Sequence, residues 1–158
     1  MPAAAPWIGV VGPGRAAPEE LRVAEEVGAQ LAAAGAVLVC GGLGGVMEAA
    51  CRGAGAAGGA TVGLLPGDDR TAANAWVSIA IPTGLGEARN VLVVRAAQAL
   101  VAIGGGWGTL SEIALALRAG KTVVGLRTWL PAHDATAGPG VVVVENPRMA
   151  VRRALESI

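Results

Sequence analysis

The sequence predicts an α/β fold in which one parallel β-sheet carries helices on both faces. Short runs rich in valine, isoleucine and leucine alternate with alanine-rich segments that bear charges along all 158 residues, which is the pattern of repeated βα units. The runs are apolar at successive positions, as in strands that are buried on both faces. Since no repeat, low-complexity tail or linker interrupts the pattern, we predict a single Rossmann-like domain over residues 1–158.

Seven apolar runs are predicted as strands. They are short, rich in branched side chains, and bounded by glycine, proline or polar turn residues. A sheet of about seven parallel strands is therefore expected. The predicted strands cover residues 7–11, 36–40, 60–65, 76–81, 99–103, 121–126 and 141–144.

Helices are predicted between the strands. In the first helix, Pro18 stands in the opening turn, where proline is tolerated, and Gly35 ends the helix. In the second, Glu48 lies one turn before Arg52 and is predicted to pair with it at the surface. After the first helix, which begins at Pro18, the predicted helices cover residues 45–57, 86–98, 108–119 and 147–157.

Charge and ligand-forming residues exclude several classes of partner. Lys and Arg number 12 and Asp and Glu number 12, and no basic stripe is present, so no nucleic-acid partner is predicted. Cys40 and Cys51 form no C-x-x-C pair, and His133 has no Cys or Glu at ligand spacing. We therefore predict no metal site and two reduced thiols that only pack.

The N-terminal segment and the apolar regions predict a cytoplasmic protein. The opening "MPAAAPW" has neither the basic region nor the apolar segment of a secretory signal. The uncharged stretch over residues 27–47 contains six glycines, so it is not a membrane helix and no membrane contact is predicted. The longest predicted loop, residues 127–140, carries His133 and Asp134, which could close over a ligand or face solvent.

Three glycine clusters directly follow predicted strands and precede predicted helices. The carboxyl ends of parallel strands form the ligand crevice of such sheets. Glycine lets backbone N–H groups approach an anion, and the next helix presents its positive end, so the clusters predict a phosphate-bearing ligand. The alternative is that these glycines only make tight turns. The clusters contain Gly12 and Gly14, then Gly41, Gly42, Gly44 and Gly45, and finally Gly104, Gly105, Gly106 and Gly108.

Two common cofactor-binding patterns are incomplete. Gly12, Gly14 and Ala17 match the G-x-G-x-x-A turn of dinucleotide-binding proteins, which requires an acidic residue at the end of the second strand. The chain has Cys40 and Gly41 there, and no G-K-[ST] follows a glycine cluster. We therefore predict no tightly required cofactor, and neither an NAD site nor ATP hydrolysis.

Glu112 and Arg89 are the candidate catalytic residues. Glu112 follows the third glycine cluster and has no cation one helical turn away. Alternatively, "TLSE" is a capping box in which Thr109 is the N-cap and Glu112 folds back onto the backbone. Arg89 precedes the strand that leads to the third cluster, so its guanidinium could reach the crevice or could pair with Glu87 at the surface.

The segment "GGGWGTLSE" (104–112), preceded by "EARN" (87–90), resembles the signature of the LOG (Lonely Guy) superfamily. Members of that superfamily read PGGxGTxxE and carry an upstream arginine. The segments "GPG" (12–14), "GGLGGVMEAA" (41–50) and "VVVVENPRMAV" (141–151) fall at corresponding places, so the resemblance spans most of the chain. The enzymes of this superfamily split a nucleoside 5′-monophosphate into free base and ribose 5-phosphate.

The resemblance implies roles for the matching residues. Glu112 would stabilise oxocarbenium charge or position water, and Arg89 would orient that carboxylate and the sugar phosphate. Backbone and hydroxyl donors would hold the phosphate at Gly105, Gly106, Gly108 and Thr109.

Two departures from the signature alter the expected function. Gly104 replaces the motif's proline, and Asn90 replaces the lysine that follows the arginine in the enzymes. The chain is therefore most similar to the branch that includes molybdenum cofactor carrier proteins, which bind a pterin phosphate. We predict a binding protein for a phosphorylated heterocycle, either a nucleotide monophosphate or a molybdopterin-type ligand. A LOG-type phosphoribohydrolase and a regulatory nucleotide sensor are the alternatives.

The predicted ligand site combines the three glycine clusters with five further residues. Trp107 lies within the third cluster and could stack on a planar ring or pack in the core or an interface. The resemblance, together with an apolar content of 53% and a mean hydropathy of +0.56, predicts a homodimer or homotetramer. The five further site residues are Arg89, Asn90, Trp107, Thr109 and Glu112.

Overall fold

A computed structural model describes residues 4–132, 136 and 138–158, so His133 and Asp134 lie outside the described residues. The strands are β1 (Trp7–Val11), β2 (Val37–Cys40), β3 (Thr61–Leu65), β4 (Ile79–Pro82), β5 (Ala99–Ile103), β6 (Val123–Leu126) and β7 (Val142–Val143). The α-helices are α1 (Pro18–Ala33), α2 (Val46–Ala56), α3 (Asn90–Ala96), α4 (Trp107–Arg118) and α5 (Pro147–Glu156). Short 3-10 turns cover Arg70–Ala72 and Gly86–Arg89.

The seven strands form one parallel sheet in the order β4-β3-β2-β1-β5-β6-β7. The chain runs outward from β1 to β4, returns to β5 on the other side of β1, and runs outward again to β7. The direction of winding therefore reverses between β1 and β5, where an open parallel sheet forms its ligand crevice. The predicted Rossmann-like α/β fold is confirmed.

Apolar side chains cover both faces of the sheet. One cluster joins Ile8 and Val10 of β1 to buried residues of α1, α2 and α5. The other joins Val11 of β1 to buried residues of α3 and α4, including Val93 and Ile113. Successive residues of one strand thus enter opposite cores, which explains why the strand sequences are apolar at every position.

Helices α1 and α2 pack closely because each has a glycine at the contact. A Cβ atom at Gly28 would lie 1.9 Å from the Ala50 carbonyl oxygen, and one at Gly53 would lie 1.9 Å from the Glu25 carbonyl oxygen. The two helices are also joined by an ion pair of 2.8 Å between Arg52 Nη2 and Glu25 Oε2. The predicted pair of Arg52 with Glu48 is therefore wrong, because the neighbouring helix brings another carboxylate closer.

Strand β4 starts at Ile79, three residues after the predicted start. Thr61 Oγ1 donates a hydrogen bond of 2.7 Å to the Trp76 carbonyl oxygen, and the Thr61 N–H donates one of 2.8 Å to Ser78 Oγ. These bonds through side chains replace the main-chain ladder before Ile79. The remaining strands lie within two residues of their predicted bounds.

The helix predicted over residues 86–98 divides in two. Gly86 has a φ of +59°, so an α-helix cannot begin at this residue. Residues 86–89 instead form a 3-10 turn, and α3 begins at Asn90. At the other end of α3, Lys121 Nζ donates hydrogen bonds to the carbonyl oxygens of Val94 (2.6 Å), Arg95 (3.2 Å) and Ala97. Burial lowers the pKa of Lys121.

Replacing Lys121 with Met should lower the free energy of unfolding by about 1–2 kcal/mol, because the terminal carbonyl groups of α3 lose a charged donor. Methionine keeps most of the aliphatic chain, so packing changes little. Urea denaturation of the variant and the wild type measures the difference. Arg118→Met, at an exposed position in α4, is the control for loss of a surface charge, and equal stabilities of all three proteins would contradict the role of Lys121.

Among the helices of the described residues, none combines the length and the apolar character needed to cross a membrane.

Candidate functional site

A cleft of about 540 Å³ opens at the carboxyl ends of β2, β1 and β5, where the winding of the sheet reverses. The turns after these three adjacent strands all contribute to its wall, as does the segment that precedes α3. The three glycine clusters therefore meet at one end of the sheet. Of the predicted site residues, those that line the cleft are Gly12, Gly14, Gly41, Arg89, Asn90, Gly106, Gly108, Thr109 and Glu112.

The other predicted site residues lie beside the cleft rather than in its wall. Two of them show why glycine is needed there. A Cβ atom at Gly45, where φ is +65°, would lie 2.2 Å from the Pro13 carbonyl oxygen, and one at Gly105 would lie 2.0 Å from Trp129 Nε1. These glycines allow neighbouring loops to pack against each other. The predicted residues outside the wall are Gly42, Gly44, Gly45, Gly104, Gly105 and Trp107.

Arg89 is a buried cation in the wall of the cleft, with 9% of its surface exposed. Its guanidinium packs over Gly41, where a Cβ atom would lie 2.5 Å from Nη1. Nη1 donates a hydrogen bond of 2.7 Å to Asn90 Oδ1, whereas Nε has no hydrogen-bond partner among the described residues. The alternative of a surface arginine paired with Glu87 is wrong, because the 3-10 turn directs Arg89 inward over the second glycine cluster.

Glu112 faces the same cleft from α4 and is 6% exposed. Its Oε1 lies 3.9 Å from Arg89 Nη1, so the two groups attract each other without a direct hydrogen bond. Burial raises the pKa of Glu112 to about 7, and the positive charge of Arg89 partly opposes this shift. The site thus holds an acid that changes its charge near neutral pH.

The capping-box interpretation of "TLSE" is wrong. Helix α4 starts at Trp107 with Gly106 as its N-cap, so Thr109 lies within the first turn and Glu112 in the second. Both side chains are buried, and within the described part of the chain no side chain caps this N-terminus. The first N–H groups of α4 are therefore available to a ligand.

A chain of hydrogen bonds links Arg89 to the first turn of α4. Asn90 accepts from Arg89 and donates through Nδ2 to Ser111 Oγ at 3.1 Å. Ser111 Oγ in turn donates to the Gly108 carbonyl oxygen at 2.7 Å. Asn90 thereby connects the guanidinium of Arg89 to the first turn of α4. Ser111 was not among the predicted site residues, since its contact with Asn90 joins two different helices.

Comparison with known proteins assigns the family. Residues 5–151 match the model of the SLOG cluster4 family. The chain belongs to the SLOG cluster4 family. An uncharacterized protein of Archaeoglobus fulgidus is 43% identical over 150 residues, which cover 95% of each chain.

Solved structures similar to this SLOG cluster4 protein include two whose names refer to the molybdenum cofactor. The molybdenum cofactor binding protein from Rippkaea orientalis is 38% identical, with a TM-score of 0.88 and 97% of each chain covered. The molybdenum cofactor carrier protein from Chlamydomonas reinhardtii is also 38% identical, with a TM-score of 0.84 and 98% of each chain covered. The predicted resemblance to the LOG superfamily and its carrier-like branch is thereby confirmed.

In this member of the SLOG cluster4 family, the cleft is also lined by residues outside the predicted site. Pro13 and Leu43 lie between glycines of the first and second clusters, so their positions alone could have identified them. Pro66 and Gly86 join the cleft through a hydrogen bond of 2.9 Å between the Gly86 N–H and the Pro66 carbonyl oxygen, which no local pattern indicates. The additional lining residues are Val10, Val11, Pro13, Leu43, Met47, Pro66, Gly86 and Glu87.

Trp107 is not among the residues that line the cleft of the SLOG cluster4 protein and is 81% exposed. Its ring meets that of Trp129 edge to face, with centroids 5.2 Å apart. Core packing, one of its predicted alternatives, is therefore wrong. Among the described residues, no group of three or more His, Cys, Asp or Glu side chains has the arrangement of a metal site.

Proposed function

We propose that this protein binds a phosphorylated heterocycle, a molybdopterin-type cofactor, and holds it as cargo without converting it. The observation that carries the proposal is the buried guanidinium of Arg89, whose Nε has no partner within the described residues although it borders a ligand-sized cleft. A buried cation with an unused donor is favourable when an anion completes its hydrogen bonds. The names of the similar proteins from Rippkaea orientalis and Chlamydomonas reinhardtii support this choice of ligand.

The phosphate of the ligand would bind at the N-terminus of α4. Gly106, Gly108 and Thr109 line the cleft there, and the first N–H groups of a helix have no partner within the helix. The helix dipole adds a partial positive charge at the same place. Arg89 and the α4 terminus, which Asn90 and Ser111 connect, would then hold one anion from two sides.

The ring system would occupy the remaining part of the cleft. Leu43, Met47 and Pro66 provide an apolar wall, whereas Glu87 and Asn90 provide polar groups that could bond to ring nitrogens and oxygens. Small-molecule sites commonly enclose about 300–1,000 Å³ and combine an apolar lining with few polar groups. A cleft of about 540 Å³ is of the right size for a phosphorylated bicyclic or tricyclic ring.

Co-elution tests the cargo role. Purified protein is mixed under anaerobic conditions with molybdenum cofactor released from a denatured molybdoenzyme, and gel filtration is followed by measurement of molybdenum in the protein fraction. We expect about one molybdenum per chain, and a strongly reduced amount with Arg89→Met. No molybdenum in the protein fraction would contradict the proposal.

A phosphoribohydrolase of LOG type is the second candidate, because the carboxyl group of Glu112 faces the cleft beside Arg89. In that case Glu112 would stabilise oxocarbenium charge on the ribose of a bound nucleotide. Incubation with several nucleoside 5′-monophosphates and an assay for free base separates the two functions. We expect no base. Release of adenine from AMP by the wild type, and its loss in Glu112→Gln, would replace the cargo role by hydrolysis.

Replacing Gly108 with Ala should raise stability and weaken ligand binding at once. A Cβ atom at Gly108 meets no atom within 4 Å, and alanine in a helix is more stable than glycine by about 0.5–1 kcal/mol. The added methyl group would stand beside the N–H groups that receive the phosphate, so we expect the Kd for AMP to rise at least tenfold. Thermal unfolding and isothermal titration calorimetry measure the two effects.

Gly67→Ala is the matched control for Gly108→Ala. Gly67 also has open space around its Cβ position and lies outside the cleft wall, so its substitution should leave the Kd unchanged. Equal AMP affinity of Gly108→Ala and the wild type would contradict phosphate binding at α4.

The apolar surface supports a homodimer or homotetramer as part of the proposal. Ile79 and Ile81 of β4 are 50% and 42% exposed. They pair in register with Val62 and Leu64, which belong to the core on the side of α3 and α4. Large apolar side chains exposed on an edge strand favour association. Sedimentation equilibrium should give at least twice the chain mass of 15.5 kDa, whereas a single-chain mass would contradict it.

A further inference from the structure

Cys40 and Cys51 are the two cysteines of the chain, and they lie together beneath the second glycine cluster. Cys40 ends β2 and Cys51 lies in α2, with their Sγ atoms 3.5 Å apart. Both are free thiols with fully buried side chains. The Gly42 N–H donates a hydrogen bond of 3.3 Å to Cys40 Sγ, so the pair is in direct contact with the cluster. Ligand binding as proposed above does not use either sulfur.

We propose that Cys40 and Cys51 form a redox-sensitive pair, which closes into a reversible disulfide when the folded protein meets hydrogen peroxide. Cys51 Sγ attacks one peroxide oxygen, which gives a sulfenic acid and water. Cys40 Sγ then attacks the Cys51 sulfur, the S–S bond forms, and the sulfenic oxygen leaves as a second water. The two thiols together lose two protons and two electrons, and one peroxide is reduced to two waters.

The surroundings of the pair favour this sequence of steps. A hydrogen bond from the Cys40 thiol lowers the pKa of Cys51, which makes Cys51 the better nucleophile. Cys40 stands close enough to resolve the sulfenic acid before a further oxidation step. Because both sulfurs are buried, a small neutral oxidant such as peroxide is better suited to reach them than a bulky disulfide.

Disulfide formation would be transmitted to the cleft through Gly41. The bond requires about 2.05 Å between the sulfurs, so the two residues must approach each other from an Sγ–Sγ distance of 3.5 Å, and the proposal assigns part of this shift to Cys40. Gly41 follows Cys40 directly and has the Arg89 guanidinium packed against it. Leu43, which lines the cleft, is held by a hydrogen bond of 2.9 Å from Asn74 Nδ2 to its carbonyl oxygen. Because Leu43 is held on one side of Gly41, a shift of Cys40 on the other side is expected to displace Gly41 relative to Arg89.

Peptide mapping of the wild-type protein tests the disulfide directly. Trypsin cleaves after Arg22 and Arg52, which leaves both cysteines in one peptide, and cleavage after Glu48 then divides that peptide between them. After peroxide treatment of the folded protein we expect the intact chain to lose two hydrogens, and the two fragments to stay joined until dithiothreitol is added. A sample unfolded in urea and treated in the same way is the control that shows whether the peroxide and the dithiothreitol are active.

Three results would overturn the disulfide. The fragments could separate without reductant, the chain could gain oxygen instead of losing hydrogen, or the bond could join two chains. The Cys51→Ala variant, treated in the same way, should produce no joined fragments.

The effect on the cleft rests on the proposed function and is measured separately with AMP as the probe. Oxidised wild type should bind AMP at least fivefold more weakly than reduced wild type, and dithiothreitol should restore the affinity. Cys51→Ala should keep the same affinity before and after peroxide. Equal affinities of oxidised and reduced wild type would overturn the coupling to the cleft. Failure of the reduced protein to bind AMP would count against the proposed phosphate subsite, while the peptide map would still decide the disulfide.

Discussion

Replacing Arg89 with Met should weaken binding of the molybdenum cofactor and of AMP about 100-fold while the protein stays folded. A hydrogen bond to a charged group contributes about 1.5–3 kcal/mol, and every 1.4 kcal/mol corresponds to a factor of about ten in Kd. Arg89 supplies the buried positive charge in the wall of the cleft, and its Nε is unpartnered among the described residues. Isothermal titration with AMP and the molybdenum co-elution assay measure the loss.

The fold should tolerate Arg89→Met because methionine fills similar space without a buried charge. The positive charge of Arg89 lowers the pKa of Glu112, so without it that pKa rises further and Glu112 stays neutral at pH 7. Arg22→Met is the matched control, since Arg22 is an exposed arginine that pairs with Glu19 on α1. If Arg89→Met bound AMP as well as Arg22→Met does, Arg89 would have no part in holding the phosphate.

Replacing Glu112 with Gln should make the protein more stable at pH 8 by about 3 kcal/mol but leave its stability at pH 4.5 almost unchanged. The pKa of Glu112 is about 7 in the folded protein, against 4.5 for an ordinary Glu. Between these values the folded state retains a proton that the unfolded chain has released. Stability of the wild type therefore falls as pH rises through this window, and a neutral amide removes that loss.

Urea denaturation at several pH values measures this effect as the difference between Glu112→Gln and the wild type. The difference should grow from pH 4.5 to pH 7 and rise more slowly above it. Glu87→Gln, at an exposed carboxyl group on the same cleft, is the control and should show a difference below about 0.5 kcal/mol, as exposed substitutions usually do. A constant difference between Glu112→Gln and the wild type at all pH values would exclude a raised pKa at Glu112.

Two local sequence patterns, one at Glu112 and one at Arg52, predicted contacts that the structure does not contain. The "TLSE" pattern fits a capping box, yet α4 starts early enough to place Thr109 and Glu112 inside the helix. The spacing of Glu48 and Arg52 fits a surface pair, yet Glu25 of the adjacent helix binds Arg52. In each case tertiary packing displaced a weak local interaction, which contributes about 1 kcal/mol for a helix cap and about 0.2–0.5 kcal/mol for a surface pair.

The positions of the glycine clusters, after strands at one end of the sheet, were predicted correctly. The different roles of the individual glycines within each cluster were not predicted. Gly14 and Gly108 have open space at their Cβ positions and line the cleft. Gly45 and Gly105 instead accommodate Pro13 and Trp129 from other parts of the chain. Sequence spacing contains no signal for this difference, because both kinds of glycine lie in the same short stretches between the end of a strand and the first turn of a helix.

By itself, the sequence determined the parallel α/β fold, the positions of most strands and helices, the three glycine turns, and the resemblance to the LOG superfamily. These depend on apolar runs, caps and motifs within a few residues of one another. Only the tertiary structure decided that Arg89 is buried over Gly41 beside Glu112, and that Cys40 meets Cys51 below the same turn. The physical reason is that burial and electrostatic coupling arise from segments far apart in the chain, which the sheet order brings together at the junction of β1 and β5.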